Sequence, residues 1–223
     1  MMDRPGADRR ILEEDLRNLR IINRYFGGLS ALRNAVLPLG LKKNQSEAVT
    51  ILDLATGSGD QPVSLAKAFR RAGRQDRITA VDRNEVMLQV ARGYAGSMEE
   101  IQFEQRNILD LPYESGSFDI ATCSLAIHHF SREDGIKLLR EMNRVSRIGF
   151  VLNDLSRSLM GAATAWLYTR VTTRNPMTRY DSVLSVLRAY RKDELAAMST
   201  EAGVNPVRIF HAPLFRLVAV KEK

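Results

Sequence analysis

Two of the chain's three histidines, His128 and His129, sit side by side after the apolar run Ile120 to Leu125, and Asp154 closes the next apolar run. Imidazole titrates near neutral pH, so this trio can move a proton, with Asp154 orienting a histidine or accepting the proton itself. A second set of residues points to a ligand. Ile51-Leu-Asp-Leu-Ala-Thr-Gly-Ser-Gly-Asp60 runs from an apolar stretch into a glycine turn, and Arg77-Ile-Thr-Ala-Val-Asp82 ends in an acid about 25 residues after the first glycine. That layout predicts a nucleotide-type pocket at the end of a parallel sheet, with Asp82 placed to accept hydrogen bonds from a ribose diol. The expected ligand is adenosine-like. Pro62 stands where a dinucleotide fingerprint has its third glycine, which argues against NAD or FAD. Proline suits a first helical position, so the helix after the turn is expected to start at Pro62. Gly57 and Gly59 are left to let the backbone approach a compact ligand tail.

Positioning those residues requires an alternating scaffold, and the hydrophobic pattern supplies one. Leu12, Leu16, Leu19, Ile22 and Phe26 recur at helical spacing, and Gly27-Gly28 can end that helix. Ser30 can cap a second short helix carrying Leu32 and Val36, broken by Pro38 and Gly40. From Ala48 strands and helices alternate over 48–54, 62–73, 77–82, 85–95, 101–105, 118–123, 132–145 and 148–153, which predicts a parallel sheet covered on both faces. Asn84 and Ser131 are of the right type for N-caps, the latter with Asp134 three residues on as a loose capping box. Residues 156–190, rich in Arg, Thr and aromatics, read as helix, loop, helix over the pocket mouth. Lys192 to Glu201 reads as a last helix stopped by Gly203, and 207–211 with 214–220, joined at Ala212-Pro213, as an antiparallel hairpin at the sheet edge.

Asp53-Leu-Ala-Thr-Gly-Ser-Gly-Asp60, Asp82, Arg106-Asn-Ile-Leu-Asp-Leu-Pro112, Ser117-Phe-Asp-Ile120 and Leu125-Ala-Ile-His-His-Phe130 together resemble the class I methyltransferases that use S-adenosylmethionine. The likeness is close over residues 46–155. Ile22-Asn-Arg-Tyr-Phe-Gly-Gly28, Asn153-Asp-Leu155 and the stretch from Thr173 to Tyr190 are similar to small-molecule methyltransferases found beside bacterial polyketide synthases. The 53–60 segment also resembles the ubiquinone and menaquinone methyltransferases. The resemblance implies a Rossmann-like α/β fold with a seven-stranded, mostly parallel sheet and an antiparallel C-terminal hairpin. It further implies an N-terminal helical lid at 1–45, and a methyltransferase domain at 46–223 with 156–190 as an acceptor-pocket insertion. It assigns Gly57 and Gly59 to the methionine part of the cofactor, Asp82 to the ribose, and Asn107 with Ile108 to the adenine edge. Many family members carry Asp at the position of Asn107, and Asn keeps an acceptor oxygen there. Asp53, Ala55, Thr56, Asp60, Arg83, Met87 and Ser124 complete the expected cofactor set, with Met87 against the adenine face or in the core.

Methyl transfer from a sulfonium needs chiefly a nucleophile held close and in line. A hydroxyl must also lose its proton, and a base contributes about 10²- to 10⁴-fold. Neighbours in an extended segment face opposite ways, so the sequence leaves open which histidine faces the pocket; His128, the first of the pair, is taken as the base and His129 as turned aside. The expected reaction is O-methylation of a phenol or hydroxyl on a small, largely apolar polyketide-type acceptor. The alternatives are carbon methylation of a quinone precursor, an RNA methyltransferase, and a cofactor-binding subunit without turnover. The net charge of +7 comes from arginines scattered among acids, which favours a solvated basic surface over a nucleic-acid footprint. Cys123, the single cysteine, lies in an apolar run without a neighbouring cation and reads as a packed thiol. His211 reads as structural. One cysteine and three histidines give no metal-ligand spacing, so metal-free chemistry is expected. The basic tip Met1 to Arg10 lacks the apolar stretch of a signal peptide and is expected to be disordered. Leu159 to Tyr168 is too short to span a bilayer, which together predict a cytoplasmic monomer or homodimer.

Overall fold

The computed structural model describes residues 9–223, so most of the expected disordered tip lies outside the described residues. Strands buried along nearly their whole length belong in the middle of a layered sheet. Such are β1 (Val49–Leu54), β4 (Phe118–Ser124) and β5 (Ser146–Leu155). Outside them lie β2 (Asp76–Asp82), β3 (Ile101–Gln105), β6 (Arg208–Ala212) and β7 (Arg216–Glu222), in the order β3-β2-β1-β4-β5-β7-β6. The first five strands pair in parallel, and β7 runs antiparallel to both β5 and β6.

Alternate residues of the central strands feed two cores, as the period of two requires. Ile51, Ile120 and Val151 pack on one face with Leu32 and Val36 of α2 (Gly28–Gly40) and with Leu65 and Phe69 of α3 (Asp60–Arg71). Leu52, Ala121 and Leu152 pack on the other with Leu138 and Met142 of α5 (Arg132–Val145) and with Leu195 and Met198 of α8 (Lys192–Glu201). Chain order reverses between β1 and β4, which opens a crevice beyond their carboxyl ends. Three more helices stand over it. Asn175 at the start of α7 (Pro176–Arg188) bonds the Ile11 carbonyl of α1 (Arg9–Tyr25) at 2.9 Å, and α6 (Leu159–Thr172) packs along α7. No helix among the described residues is long and apolar enough to cross a membrane.

Helix starts depart from the sequence expectations where an N–H needs no partner. The third helix begins at Asp60, and Pro62 sits inside its first turn, where the N–H groups lack intrahelical acceptors anyway. The second helix starts at Gly28 behind Gly27 at φ 74°, and Ser30 turns its hydroxyl back to the Gly27 carbonyl instead of capping. It also runs through Pro38, which falls in its last turn. Asn84, before α4 (Glu85–Ala95), and Ser131 do accept capping bonds, from Val86 N and Asp134 N. Asp134 turns its carboxylate to Lys137 at 3.2 Å, so the reciprocal half of a capping box is replaced by an ion pair.

Candidate active site

A cavity of about 840 Å³ lies at the carboxyl ends of the central strands, roofed by α1, α6 and α7. On its floor the chain leaves β1 through Ala55, Thr56, Gly57, Ser58 and Gly59, all but Gly59 lining the space. Ala55 holds φ 54°, Gly57 φ 54° and Gly59 φ 76°. A Cβ on Gly59 would stand 3.0 Å from the Ala91 Cβ, so glycine there admits α4 close to the loop. Asp82, at the end of β2, accepts the Gly57 N–H at 2.9 Å with one oxygen and the Asn84 N–H at 2.9 Å with the other. That carboxylate therefore shapes the glycine loop as well as facing the cavity.

Beneath the loop, Asp53 is fully buried and accepts the Thr122 hydroxyl at 2.7 Å. Burial pushes its carboxyl up to about 7, against the opposing effect of that hydrogen bond. Asp60 is likewise raised by burial, and the Asn23 amide that donates to it at 2.9 Å works the other way. Next to Asp60, the Gln61 amide is buried with neither nitrogen nor oxygen partnered. Arg83, Met87, Asn107, Ile108 and Ser124 also line the cavity. Met87 does so while packing with Leu12, Leu16 and Met177, so its cavity and core readings are one placement. Asn107 spends its side-chain oxygen on the Leu109 N–H at 3.1 Å. Ser124 accepts the Asn153 amide at 3.3 Å.

On the other wall, the His128 Nδ1 lies 2.7 Å from an oxygen of Asp154, with both side chains buried. Burial pushes the Asp154 carboxyl up, but the His128 charge and hydrogen bond and the Leu155 N–H together hold it below the usual carboxylate range. The His128 Nε2 is buried and has no hydrogen-bond partner. His129 does not turn away as an extended segment would require. Residues Ile127–His129 form a 3-10 turn after Leu125, which holds φ 55°, so both imidazoles line the cavity with centroids 4.2 Å apart. His129 is the exposed one. The thiol of Cys123 is buried in the core and pushed well above its ordinary value by that burial. His211 is exposed on β6, away from the cavity lining. Among the described residues, no three potential ligands converge as a metal site.

Several cavity residues were not anticipated. Asn23 and Asp15 interrupt the apolar stripe of α1, and a polar residue on such a stripe was the available signal. Asp15 is buried against the Thr178 hydroxyl at 2.7 Å, and burial raises its carboxyl to about 6. Arg216 reaches the cavity from β7, donating to the Phe26 carbonyl at 3.2 Å while its Nη1 is unpartnered. Burial lowers its guanidinium to about 10 despite the nearby charges of Asp154 and Asp60. The apolar and aromatic part of the lining includes Phe26 stacked edge-on with Tyr168 at 4.7 Å, Leu155, Val186 and Phe215, with Thr164, Asp181, Ser182 and Ser185 among the polar groups beside them.

Residues 51–149 match a family model described as a methyltransferase domain. That segment is similar to methyltransferase domains. It runs from β1 into β5 and holds the glycine loop, Asp82 and the paired histidines. Over 98 residues the chain is 34% identical to a demethylmenaquinone methyltransferase of Staphylococcus aureus strain MRSA252, covering 44% of this chain and 39% of that protein. A SAM-dependent methyltransferase of Aquifex aeolicus superimposes with a TM-score of 0.63 at 17% identity, over 94% of this chain and 97% of the other. The CurJ carbon methyltransferase does so at 0.72 and 11% identity, over 97% and 61%. At those identities the likeness establishes the fold, which is the Rossmann-like one of S-adenosylmethionine-dependent methyltransferases. S-adenosylmethionine is named for the Aquifex aeolicus protein, and the residues of this cavity suit such a group: unpartnered amide atoms at Gln61 can meet an amino-acid tail and buried carboxylates a cationic sulfur.

Proposed function

We propose that the protein transfers a methyl group from S-adenosylmethionine to a hydroxyl oxygen of a small, largely apolar acceptor, a phenol of polyketide type. The observation that carries this is His128, a cavity residue whose Nε2 has no hydrogen-bond partner while Asp154 stands behind its Nδ1. An ionised Asp154 accepts the Nδ1–H and so fixes the tautomer whose Nε2 has a free lone pair. Nε2 takes the acceptor's hydroxyl proton as the oxygen becomes nucleophilic, and Asp154 stabilises the imidazolium that forms. The cofactor, when bound, supplies a methyl on a cationic sulfur, which the acceptor oxygen displaces. Gly57, Gly59, Asp82, Asn107 and Ile108 hold it, in our reading, with Asp53, Asp60 and Gln61 around its tail. The N-terminal lid, described from residue 9 to 45, and the 156–190 insertion form the acceptor half in our reading, where Phe26, Tyr168 and Val186, with Phe215 from the turn before β7, suit an apolar ring.

A second reading, transfer to a ring carbon of a quinone precursor, is favoured by the name of the Staphylococcus aureus relative. It uses the same base, because removing the proton of a ring hydroxyl also activates the adjacent carbon. Labelled cofactor incubated with phenols and with quinols, followed by mass spectrometry of the product, separates the two by the position of the methyl. His128→Ala should lower the single-turnover rate by about 10²-fold with little change in cofactor affinity. Asp154→Asn should act in the same direction. Full rates in the variant at every pH would leave positioning as the whole of catalysis.

A further inference from the structure

The sixth helix is apolar on both sides. Its inner face, with Gly161, Ala165 and Tyr168, lines the cavity. Its outer face carries Leu159, Met160, Trp166, Leu167 and Val171, exposed by between 52% for Trp166 and 83% for Leu159. At 3.6 residues per turn these five fall within an arc of about 140°. A soluble chain rarely leaves such a stripe bare unless something covers it. Arg170 falls on the same arc, 5.6 Å above the Trp166 ring, and exposed Arg174 follows just beyond the helix's C-terminal end. From residue 156 to 191 there are six arginines and one acid, Asp181. The first helix runs beside this wall, through the Phe26–Tyr168 contact and the Asn18–Thr173 hydrogen bond at 3.0 Å, and carries exposed Ile21 and Tyr25 of its own.

We infer that the outer face of α6 docks on an anionic lipid bilayer, lying in the interface with its leucines, methionine and tryptophan among the acyl chains and its arginines at the headgroups. An in-plane helix with this division of apolar and cationic residues binds by buried apolar area plus attraction to anionic lipid. A second copy is the poorer occupant, since a two-fold contact would bring two arginine-rich segments together. Docking places the acceptor wall of the cavity against the membrane, so an apolar acceptor dissolved there reaches the site without crossing water. That delivery rests on the reaction proposed above, whereas docking rests only on the exposed face and its charge.

Trp166 is the chain's single tryptophan and therefore reports on this face alone. The full chain is mixed with vesicles of phosphatidylcholine alone and of phosphatidylcholine with phosphatidylglycerol, then followed by Trp emission and co-sedimentation. The expected result is a blue shift and sedimentation with the anionic vesicles, weakened by salt. The double variant Leu167→Asp, Val171→Asp should partition about tenfold less or lower while keeping its melting temperature and its binding of S-adenosylhomocysteine. Equal partitioning of the variant, or an unshifted Trp with protein left in the supernatant of both vesicles, overturns docking. So does a dimer in sedimentation velocity that the double variant dissolves. Methyl transfer to a water-soluble phenol, measured on the same samples, separates failure of docking from failure of the reaction.

Discussion

At the scale of single residues, Asp82 combines two tasks that are usually considered apart. Its carboxylate accepts two backbone N–H groups, one of them from Gly57, and faces the cavity in which the ribose diol is expected. Asp82→Ala should therefore weaken cofactor binding by about 1 to 3 kcal/mol, through the lost acceptor and through a loosened loop. Calorimetry with S-adenosylhomocysteine measures it, and an unchanged dissociation constant would move the ribose elsewhere. Asp82→Asn keeps one acceptor oxygen and should fall between. The histidine pair teaches a related lesson: a period of two was applied to residues that form a tight turn, so the assignment of faces to His128 and His129 failed and both rings line the cavity.

At the scale of elements, the sheet is pinned at the opposite end from the cavity by Asp119. Its carboxylate accepts from Lys43 at 2.8 Å, from the Thr50 N–H at 2.8 Å and hydroxyl at 3.0 Å, and from Arg147 at 2.8 Å, joining the segment before β1 to β1, β4 and β5. Partial burial raises this carboxyl, but Lys43, Thr50 and Arg147 outweigh it and leave the group below its usual range. The folded form therefore holds a proton less tightly than the unfolded chain, whose value is about 3.9. The resulting stabilisation is full above that value and fades as pH falls through the folded one. Asp119→Asn should cost about 1 to 3 kcal/mol in urea titrations at pH 7, since Arg147 loses its carboxylate and Lys43 keeps only Glu47 at 3.5 Å and the Ala48 carbonyl. The gap to the parent protein should narrow near pH 3; a constant gap would assign the loss to packing.

At the scale of the whole molecule, the strand and helix alternation was legible because buried strands and amphipathic helices differ in period, and 85–95, 101–105 and 132–145 coincide with the elements found. The glycine loop and the strand-end acids were legible for the same reason: their positions follow from where an apolar run stops. Arg216 was not, because what brings it to the cavity is the packing of distant elements. Arg216 meets Phe26 across 190 residues of chain. Ala55 and Leu125, which leave the two central strands at positive φ, belong with it, since nothing in an alanine or a leucine announces that conformation. Each costs roughly 1 to 3 kcal/mol in a fold whose net stability is about 5 to 15 kcal/mol. Glycine adopts that backbone freely but adds entropy to the unfolded chain, so Ala55→Gly should gain a modest margin, roughly 0.5 kcal/mol, in thermal melts. Its cofactor dissociation constant should rise at the same time, because the loop is no longer held in one shape. A variant that melted lower, or bound as tightly, would show that residue 55 carries no such tension. With the expected pair of results, heat tolerance and turnover pull this one position in opposite directions, and an ancestor adapting to a hotter habitat would meet that conflict at the mouth of β1.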